Sequence, residues 1–401
     1  MLQVKGEQVS VRMAALVSFW LASIFFFPQY DAFLALSIVL MFFVVFFVMY
    51  GIRESDLWLL TTFSAMSFLG SFLYLRGVGG VDLFNVVSFL VLLGTMVLLL
   101  GKTRDIESRS SNLVLFAGLF CILANLLVQV AIIFDFVSPS NFIIKYYYSR
   151  SLLQEKYSEG GSDLFYGRVG GLIPNPNQAA KAITLFYCLC LPLARLNGSR
   201  VITFLLVLGG GVGISLTGSR SGLGVFLLTT FIFFRKWFSV FPASARLLFY
   251  ALAAVGVSLI FWKSNAADRL MAGSYEDSLA YKIDYLLGYI EYASNRNFNS
   301  LVFGNGFLAE LVPTHAFAVR GKDFGFDSDV GYMIYYLGIP WSGFFLLFLI
   351  YWFLVNREYF FAAPILLWMI SSSIFFNVRS AMLFAGMVLV FKMLGPRGVR
   401  V

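Results

Sequence analysis

The stretch VPTHAFAVRGKDFGFDSDVGY, residues 312–332, gathers titratable side chains just before a long apolar run. It contains His315, the single histidine of the 401 residues, although only 12% of the residues are charged. The other titratable members are Arg320, Lys322, Asp323, Asp327 and Asp329. An imidazole titrates near neutral pH, and a carboxylate can also accept a proton from a hydroxyl group. We take His315 as the first candidate for a general base and Asp327 or Asp329 as the next; the alternative is a structural or merely exposed histidine.

Basic residues recur in three other polar stretches, at 166–182, 215–223 and 377–383. A guanidinium group forms paired hydrogen bonds with phosphate, and a lysine binds phosphate as a point charge. The stretches therefore predict cationic groups for a lipid-linked phosphate or diphosphate. With the opening stretch, the candidates are Arg168, Lys181, Arg220, Arg320 and Arg379.

Two of these candidates have simpler readings. Asn177 and Lys181 lie four residues apart and so face the same side of a helix, which makes Asn177 a further candidate for the site. They also fit a helix cap and a lysine that reaches the interface. Arg220 lies in a short turn, TGSRSG, and an arginine at the membrane interface can instead bind the phosphate of a membrane lipid.

Helices that cross a membrane must position these side chains. The chain is 60% hydrophobic, whereas soluble domains average about 45–50%. Continuous apolar runs of about 20 residues recur, which indicates spanning helices rather than a barrel. We predict an all-α polytopic membrane protein with about twelve spans, forming a single integral membrane domain over residues 1–401. The spans lie at roughly 11–28, 32–51, 57–75, 84–101, 113–137, 178–196, 201–217, 221–239, 246–262, 329–355, 361–376 and 380–394.

The short connections set the orientation, because Lys and Arg concentrate on the cytoplasmic side. With a cytoplasmic N-terminus, most basic residues of the short connections lie inside, and both termini are cytoplasmic. The long loops at about 138–177 and 263–328 then lie outside, and the second loop is predicted to be partly helical. Its segment 280–296 has apolar residues near Ile283, Leu286, Leu287 and Ile290, which indicates an amphipathic helix on the membrane or over a cavity. The net charge of +8 reflects orientation and anionic lipid rather than nucleic acid.

Other kinds of site are disfavoured by the sequence. The predicted spans hold almost no Asp or Glu, which argues against an ion-coupled transporter. One histidine and scattered carboxylates do not form a metal site, and no cofactor motif is present. Cys121, Cys188 and Cys190 fit packing positions, and the glycines of LGGGVGISL (208–216) fit close helix contacts rather than a phosphate loop.

The order of four motifs resembles the bacterial O-antigen ligase and polymerase superfamily of inner-membrane glycosyltransferases. The resemblance covers about residues 165–390, and its motifs are GRVGGLIPNPNQAA, TGSRSGLGVFLL, LVFGNGF and DSDVGYMIYYLGI. Ligases of the superfamily place a His-Asn or His-Ser pair before the span that follows the large loop. This chain has DSDVGY there, a pattern more like the Wzy-type repeat-unit polymerases, and Tyr332 of this motif is a further candidate for the site.

The resemblance implies a polymerase that acts on undecaprenyl-diphosphate-linked glycans at the periplasmic face of the inner membrane. Donor and acceptor are both lipid-linked repeat units, and the product is an O-antigen, capsular or exopolysaccharide chain. A flippase and a chain-length regulator are the expected protein partners. The near alternative is a ligase that transfers the glycan to lipid A-core, and the alternative from another class is a flippase for lipid-linked glycans.

Overall fold

The computed structural model describes most of the second half of the chain and a part of the first. The described residues are 14–15, 17–18, 21–22, 25, 108–133, 169–173, 175–240, 274–296, 298–306, 328–356, 359–372, 380–381, 383–388 and 390. Among them the regular structure is helical and no strand occurs, which confirms the all-α prediction for this part. The chain forms two compact units: Met1–Ala35, Arg104–Ala272 and Leu389–Val401 in the first, Leu36–Thr103 and Gly273–Val388 in the second.

Four long helices of the first unit lie close to predicted spans. They are α1 (Ser108–Ile133), α2 (Pro176–Leu196), α3 (Arg200–Leu216) and α4 (Arg220–Val240). By length and composition, two of the described helices are apolar enough to cross a membrane, over Ser111–Ile132 and Pro176–Leu196. The predicted spans before residue 108 and at 246–262 lie outside the described residues, apart from a few helical positions between 14 and 25.

Helix α1 runs parallel to α3, as their contacts show. Ile122 lies beside Gly209, and Gln129, two turns further along α1, lies beside Gly213. The positions advance together in both helices, so the two helices point in the same direction.

Helices α2 and α4 also run parallel to each other. Ala180 in the first turns of α2 faces Gly222 in the first turn of α4, and Tyr187 Oη lies 2.8 Å from Thr230 Oγ1 further along both helices. Since α3 and α4 are joined by the three-residue turn 217–219, the start of α4 lies at the end of α3. The starts of α2 and α4 and the end of α3 therefore meet at one end of the bundle.

The three cysteines are buried free thiols in this bundle, as expected for packing residues. Cys190 Sγ faces α1, 3.9 Å from the Leu115 carbonyl oxygen, whereas Cys188 Sγ faces α4, 3.7 Å from Thr229 Oγ1. The glycines of α3 also pack closely; a Cβ atom at Gly210 would lie 3.3 Å from the Phe226 ring. Both predictions of packing roles are confirmed.

In the second unit, the sequence predicted one span at 329–355. The structure has two helices there, α7 (Asp329–Leu337) and α8 (Ile339–Asn356), separated by Gly338 with φ of 81°. A glycine with positive φ departs from helical geometry and so ends α7, and Pro340 in the first turn of α8 favours a new start. The predicted span is therefore divided into two helices at Gly338. The other helices are α5 (Ser274–Arg296), α6 (Phe298–Phe303) and α9 (Tyr359–Ser371).

Helix α5 confirms the predicted helix at 280–296 and packs through its tyrosine side. Tyr285, Tyr289 and Ala293 are buried, whereas Leu287 is 57% exposed. Leu286 and Ile290 are half-buried, and the side chain of Ile283 lies outside the described residues. The tyrosine side of the helix makes the contacts with the rest of the unit, and the placement of the aliphatic residues on the membrane or over a cavity stays a prediction.

Candidate functional site

The described residues of 169–181 and 213–222, which we call the polar end, lie where α3 ends and α2 and α4 begin. Helix α2 starts with a side-chain cap. Asn175 Oδ1 accepts hydrogen bonds from the backbone N–H groups of Asn177 at 3.0 Å and Gln178 at 3.3 Å. Pro176 follows as the first helical residue, where its missing N–H group costs nothing. The NPNQ sequence therefore determines where α2 begins.

Lys181 lies on α2 just after this start and is only 4% exposed. Asn177, one turn earlier on the same face, is exposed. Every residue from Ala179 to Ala194 is buried, so α2 passes from solvent into the protein interior within one turn. The positive charge of a lysine at this depth is costly unless neighbouring polar or anionic groups stabilise it.

The turn between α3 and α4 is built from its own side chains. Ser219 Oγ accepts a hydrogen bond from the Gly222 N–H group at 3.3 Å, and Thr217 Oγ1 accepts one from the Ser219 N–H group at 3.2 Å. Gly218 has φ of 59°, a conformation that glycine adopts without strain. Arg220 is the first residue of α4 and is half-buried. Because Ser219 caps this helix, the backbone of Arg220 is fixed.

The starts of α2 and α4 are in direct contact. A Cβ atom at Gly222 would lie 2.7 Å from Ala180 Cβ, so glycine is needed for this approach. Lys181 adjoins one member of the contact and Arg220 lies two residues from the other. Two helix N-termini, each with partial positive charge, thus carry a lysine and an arginine at the same end of the bundle.

The last four carbonyl groups of α3, which lack helical partners, are all satisfied. The turn supplies two of the bonds: the Thr217 N–H group donates to the Ile214 carbonyl at 3.1 Å and the Gly218 N–H group to the Ser215 carbonyl at 3.0 Å. The hydroxyl group of Thr217 also donates to the Ile214 carbonyl at 2.6 Å.

More distant residues satisfy the other two carbonyl groups of α3. The Val169 N–H group donates to the Leu216 carbonyl at 2.9 Å. Gln129 Nε2 donates to the Gly213 carbonyl at 3.0 Å and to the Val169 carbonyl at 2.8 Å. The segment before α2 is therefore docked on the end of α3 by its own backbone and by a side chain of α1.

Asn125, one turn earlier on α1, holds the same segment. Its Nδ2 group donates to the Gly170 carbonyl at 3.2 Å, and its Oδ1 atom accepts from the Leu172 N–H group at 2.9 Å. Asn125 and Gln129 are 0% exposed. Neither residue was predicted from the sequence; the available signal was a pair of amide side chains four residues apart in an otherwise apolar helix.

In the second unit, Asp329 is the first residue of α7 and is 0% exposed. Ser328 caps the helix, accepting a hydrogen bond from the Gly331 N–H group at 3.2 Å. The Asp329 N–H group donates to the Ser372 carbonyl at 3.3 Å. A carboxylate in the first turn of a helix is stabilised by the partial positive charge there. Tyr332, one turn later, is half-buried, and its ring stacks at 6.2 Å on Tyr336.

The FGNG motif, residues 303–306 within LVFGNGF, packs on the break between α7 and α8. The N–H groups of Asn305 and Gly306 donate to the carbonyl groups of Tyr335 at 2.9 Å and Tyr336 at 3.0 Å. Asn305 Nδ2 also donates to the Tyr335 carbonyl at 3.1 Å and to Tyr289 Oη at 2.8 Å. Two motifs that carry the resemblance, LVFGNGF and DSDVGYMIYYLGI, are thereby joined to each other and to α5.

The structure therefore describes five of the predicted site residues. Asn177, Lys181 and Arg220 share the polar end of the first unit, and Asp329 and Tyr332 lie on α7 of the second. Among the residues that the structure describes, no group of three His, Cys, Asp or Glu could hold a metal ion. The remaining predicted residues, which lie outside the described ones, are Arg168, His315, Arg320, Asp327 and Arg379.

Comparison of the chain with models of protein families, with curated proteins and with solved structures finds no match. The chemistry of the polar end and the order of the sequence motifs are the grounds for a function.

Proposed function

We propose that this chain is an inner-membrane glycosyltransferase that polymerises undecaprenyl-diphosphate-linked repeat units at the periplasmic face. The observation that carries the proposal is the polar end, where Lys181 and Arg220 stand at two contacting helix starts. The twelve spans, the cytoplasmic termini and the periplasmic loops belong to the same proposal. The parallel pairing of α1 with α3 and of α2 with α4 supports it, since consecutive spans must alternate in direction.

A diphosphate is the ligand that suits the polar end best. Helix N-termini offer N–H groups and partial positive charge to anions, and Lys181 and Arg220 add two full charges. The Ser219 cap and the Gly222 contact fix the backbone of Arg220, so its side chain starts from a defined position at the beginning of α4. Cations that neutralise the leaving diphosphate supply what a divalent metal supplies in other enzymes.

The transfer is a substitution at the anomeric carbon of the donor sugar. A base takes the proton of the acceptor hydroxyl group, whose oxygen forms a bond to that carbon. The bond from the same carbon to the phosphate oxygen breaks, and undecaprenyl diphosphate leaves with the bonding electron pair. His315 is the proposed base, with Asp327 or Asp329 as the alternatives. The cationic groups stabilise the charge that develops on the leaving oxygen.

Reconstitution tests this proposal. The full-length protein in lipid nanodiscs, given only undecaprenyl-diphosphate-linked repeats, should build a ladder of multimers without an added core acceptor. Arg220→Lys keeps the charge but loses the planar fork of the guanidinium group. Because this removes one transition-state donor, we expect the variant to polymerise about 100- to 1,000-fold more slowly than the wild type.

Arg200 provides a matched control for Arg220. It is the first residue of α3, follows the capping residue Ser199 and is exposed at the opposite end of the bundle. Arg200→Lys should leave the rate within about twofold of the wild type, as surface substitutions usually do. Equal rates for Arg200→Lys and Arg220→Lys would remove Arg220 from the mechanism, and the absence of multimers with the wild type would overturn the proposal.

A further inference from the structure

We propose that Gln129 is a positioning residue for the diphosphate-binding groups of the polar end. Its amide group holds the segment before α2 against the end of α3, and this fixes the starts of α2 and α4 relative to each other. The inference rests on the proposed function, because it assigns Gln129 a part in binding the donor diphosphate.

The two hydrogen bonds of Gln129 join chain segments that are far apart in the sequence. One proton of Nε2 goes to the Val169 carbonyl at 2.8 Å and the other to the Gly213 carbonyl at 3.0 Å. The helical partner of the Gly213 carbonyl would be the Thr217 N–H group, which donates instead to Ile214 at 3.1 Å. A buried carbonyl group without a donor is costly, so Gln129 makes the tight turn before Arg220 possible.

The glycines of the segment leave the room that this contact needs. A Cβ atom at Gly213 would lie 3.3 Å from Gln129 Oε1, and one at Gly171 would lie 2.9 Å from Gln129 Cγ and 2.7 Å from Asn125 Oδ1. Gly171 also has φ of 84°, which disfavours other residues. Asn125 holds the carbonyl of Gly170 and the N–H group of Leu172 in the same way. Helix α1 thus forms hydrogen bonds with Val169, Gly170 and Leu172, and the chain reaches the cap of α2 three residues later.

The hydrogen bonds of Gln129 differ from an ordinary bond between two helices in where they lie. Tyr187 and Thr230 form such a bond between α2 and α4 at 2.8 Å, further along both helices from their starts. Removal of that bond weakens helix packing away from the cationic groups. Removal of the Gln129 bonds releases the two segments that lead into Lys181 and Arg220.

The experiment uses the full-length protein in nanodiscs and undecaprenyl diphosphate as the probe, with undecaprenyl monophosphate for comparison. Gln129→Leu keeps the side-chain size and removes both donors. It should weaken binding of the diphosphate about tenfold or more, the size of effect expected from misplaced binding groups. Tyr187→Phe, the matched control, should change this affinity less than about twofold.

A double-mutant cycle between Gln129→Leu and Arg220→Lys tests the coupling. If Gln129 acts by placing Arg220, the double variant should lose clearly less affinity than the product of the two single losses. Losses that multiply would overturn the inference, because Gln129 would then act independently of Arg220.

Hydrogen exchange gives a readout that does not depend on the donor. Gln129→Leu should speed exchange of the backbone N–H groups at 169–173 and leave exchange in α1 near Gly118 as in the wild type. Wild-type exchange at 169–173 in this variant would overturn the role of Gln129 but not the proposed function. A wild type that does not distinguish diphosphate from monophosphate would contradict the proposed donor site instead. If Gln129→Leu does not fold, Gly171→Ala replaces it in the same measurements, since the added methyl group displaces the segment from Asn125.

Discussion

The backbone of Gly304 crosses that of Gly338 so closely that neither residue has room for a side chain. A Cβ atom at Gly304 would overlap the Tyr336 carbonyl, and one at Gly338 would lie 2.6 Å from the Val302 carbonyl oxygen. Both glycines also have positive φ, 71° and 81°. The crossing joins the FGNG motif to the end of α7 and explains why each motif carries a glycine at that position.

Alanine at either crossing glycine should destabilise the protein by about 2 kcal/mol or more. The left-handed backbone alone costs roughly 1–2 kcal/mol for a residue with a Cβ atom, and the overlap with the facing backbone adds to it. Thermal unfolding in detergent measures the loss for Gly304→Ala and Gly338→Ala.

Gly343 of α8 is the control for both variants, because a Cβ atom there would meet nothing within 4 Å. Gly343→Ala should be neutral or stabilising by up to about 1 kcal/mol, as alanine favours the helix. A crossing variant as stable as Gly343→Ala would contradict the packing described for Gly304 and Gly338.

Lys181→Met should separate the binding role of this lysine from a structural one. Methionine keeps most of the stem and removes the charge, so the burial cost of the charge disappears together with the interactions of the ammonium group, and the two effects on stability oppose each other. We expect an unfolding temperature close to wild type and a polymerisation rate at least about tenfold lower.

The control for Lys181→Met is Thr184→Val, one turn further along the same face of α2. Thr184 is buried and its hydroxyl group donates only to its own helix, to the Ala180 carbonyl at 2.7 Å. This variant should polymerise at close to the wild-type rate. If Lys181→Met does so too, the lysine is a packing residue and the diphosphate site loses one of its two described cations.

The parts of the polar end that the sequence predicted are those with local signals. A helix cap was expected at Asn177, and the cap lies two residues earlier, at Asn175. The TGSRSG turn was expected where α4 begins, at Arg220. The bonds of Gln129 reach carbonyl groups 40 and 84 residues away, and no local pattern encodes such partners. The break at Gly338 was missed for a related reason, since a glycine in an apolar run is compatible with a continuous helix until Asn305 and Gly306 bind the carbonyl groups of Tyr335 and Tyr336.

His315→Ala should abolish polymerisation while leaving the lipid-linked donor bound. His315 is the only imidazole of the chain, and its ring can accept a proton at neutral pH without a special environment. Donor binding in nanodiscs and multimer formation are measured on the same preparation. Full activity of the variant would transfer the role of base to Asp327 or Asp329, and Asp329→Asn and Asp327→Asn would then be compared in the same assay.

The choice between polymerase and ligase depends on the acceptor, since both reactions require the donor diphosphate to leave. DSDVGY, in place of a His-Asn or His-Ser pair before α8, favours a second lipid-linked repeat as the acceptor. A deletion strain should then carry surface glycan of a single repeat unit and lose the ladder of longer chains, and a plasmid copy should restore the ladder. The same plasmid with Arg200→Lys should restore it as well, whereas Arg220→Lys should not. If the deletion strain instead accumulates long lipid-linked polymer that never reaches a final acceptor, the chain is a ligase, because elongation then proceeds without it.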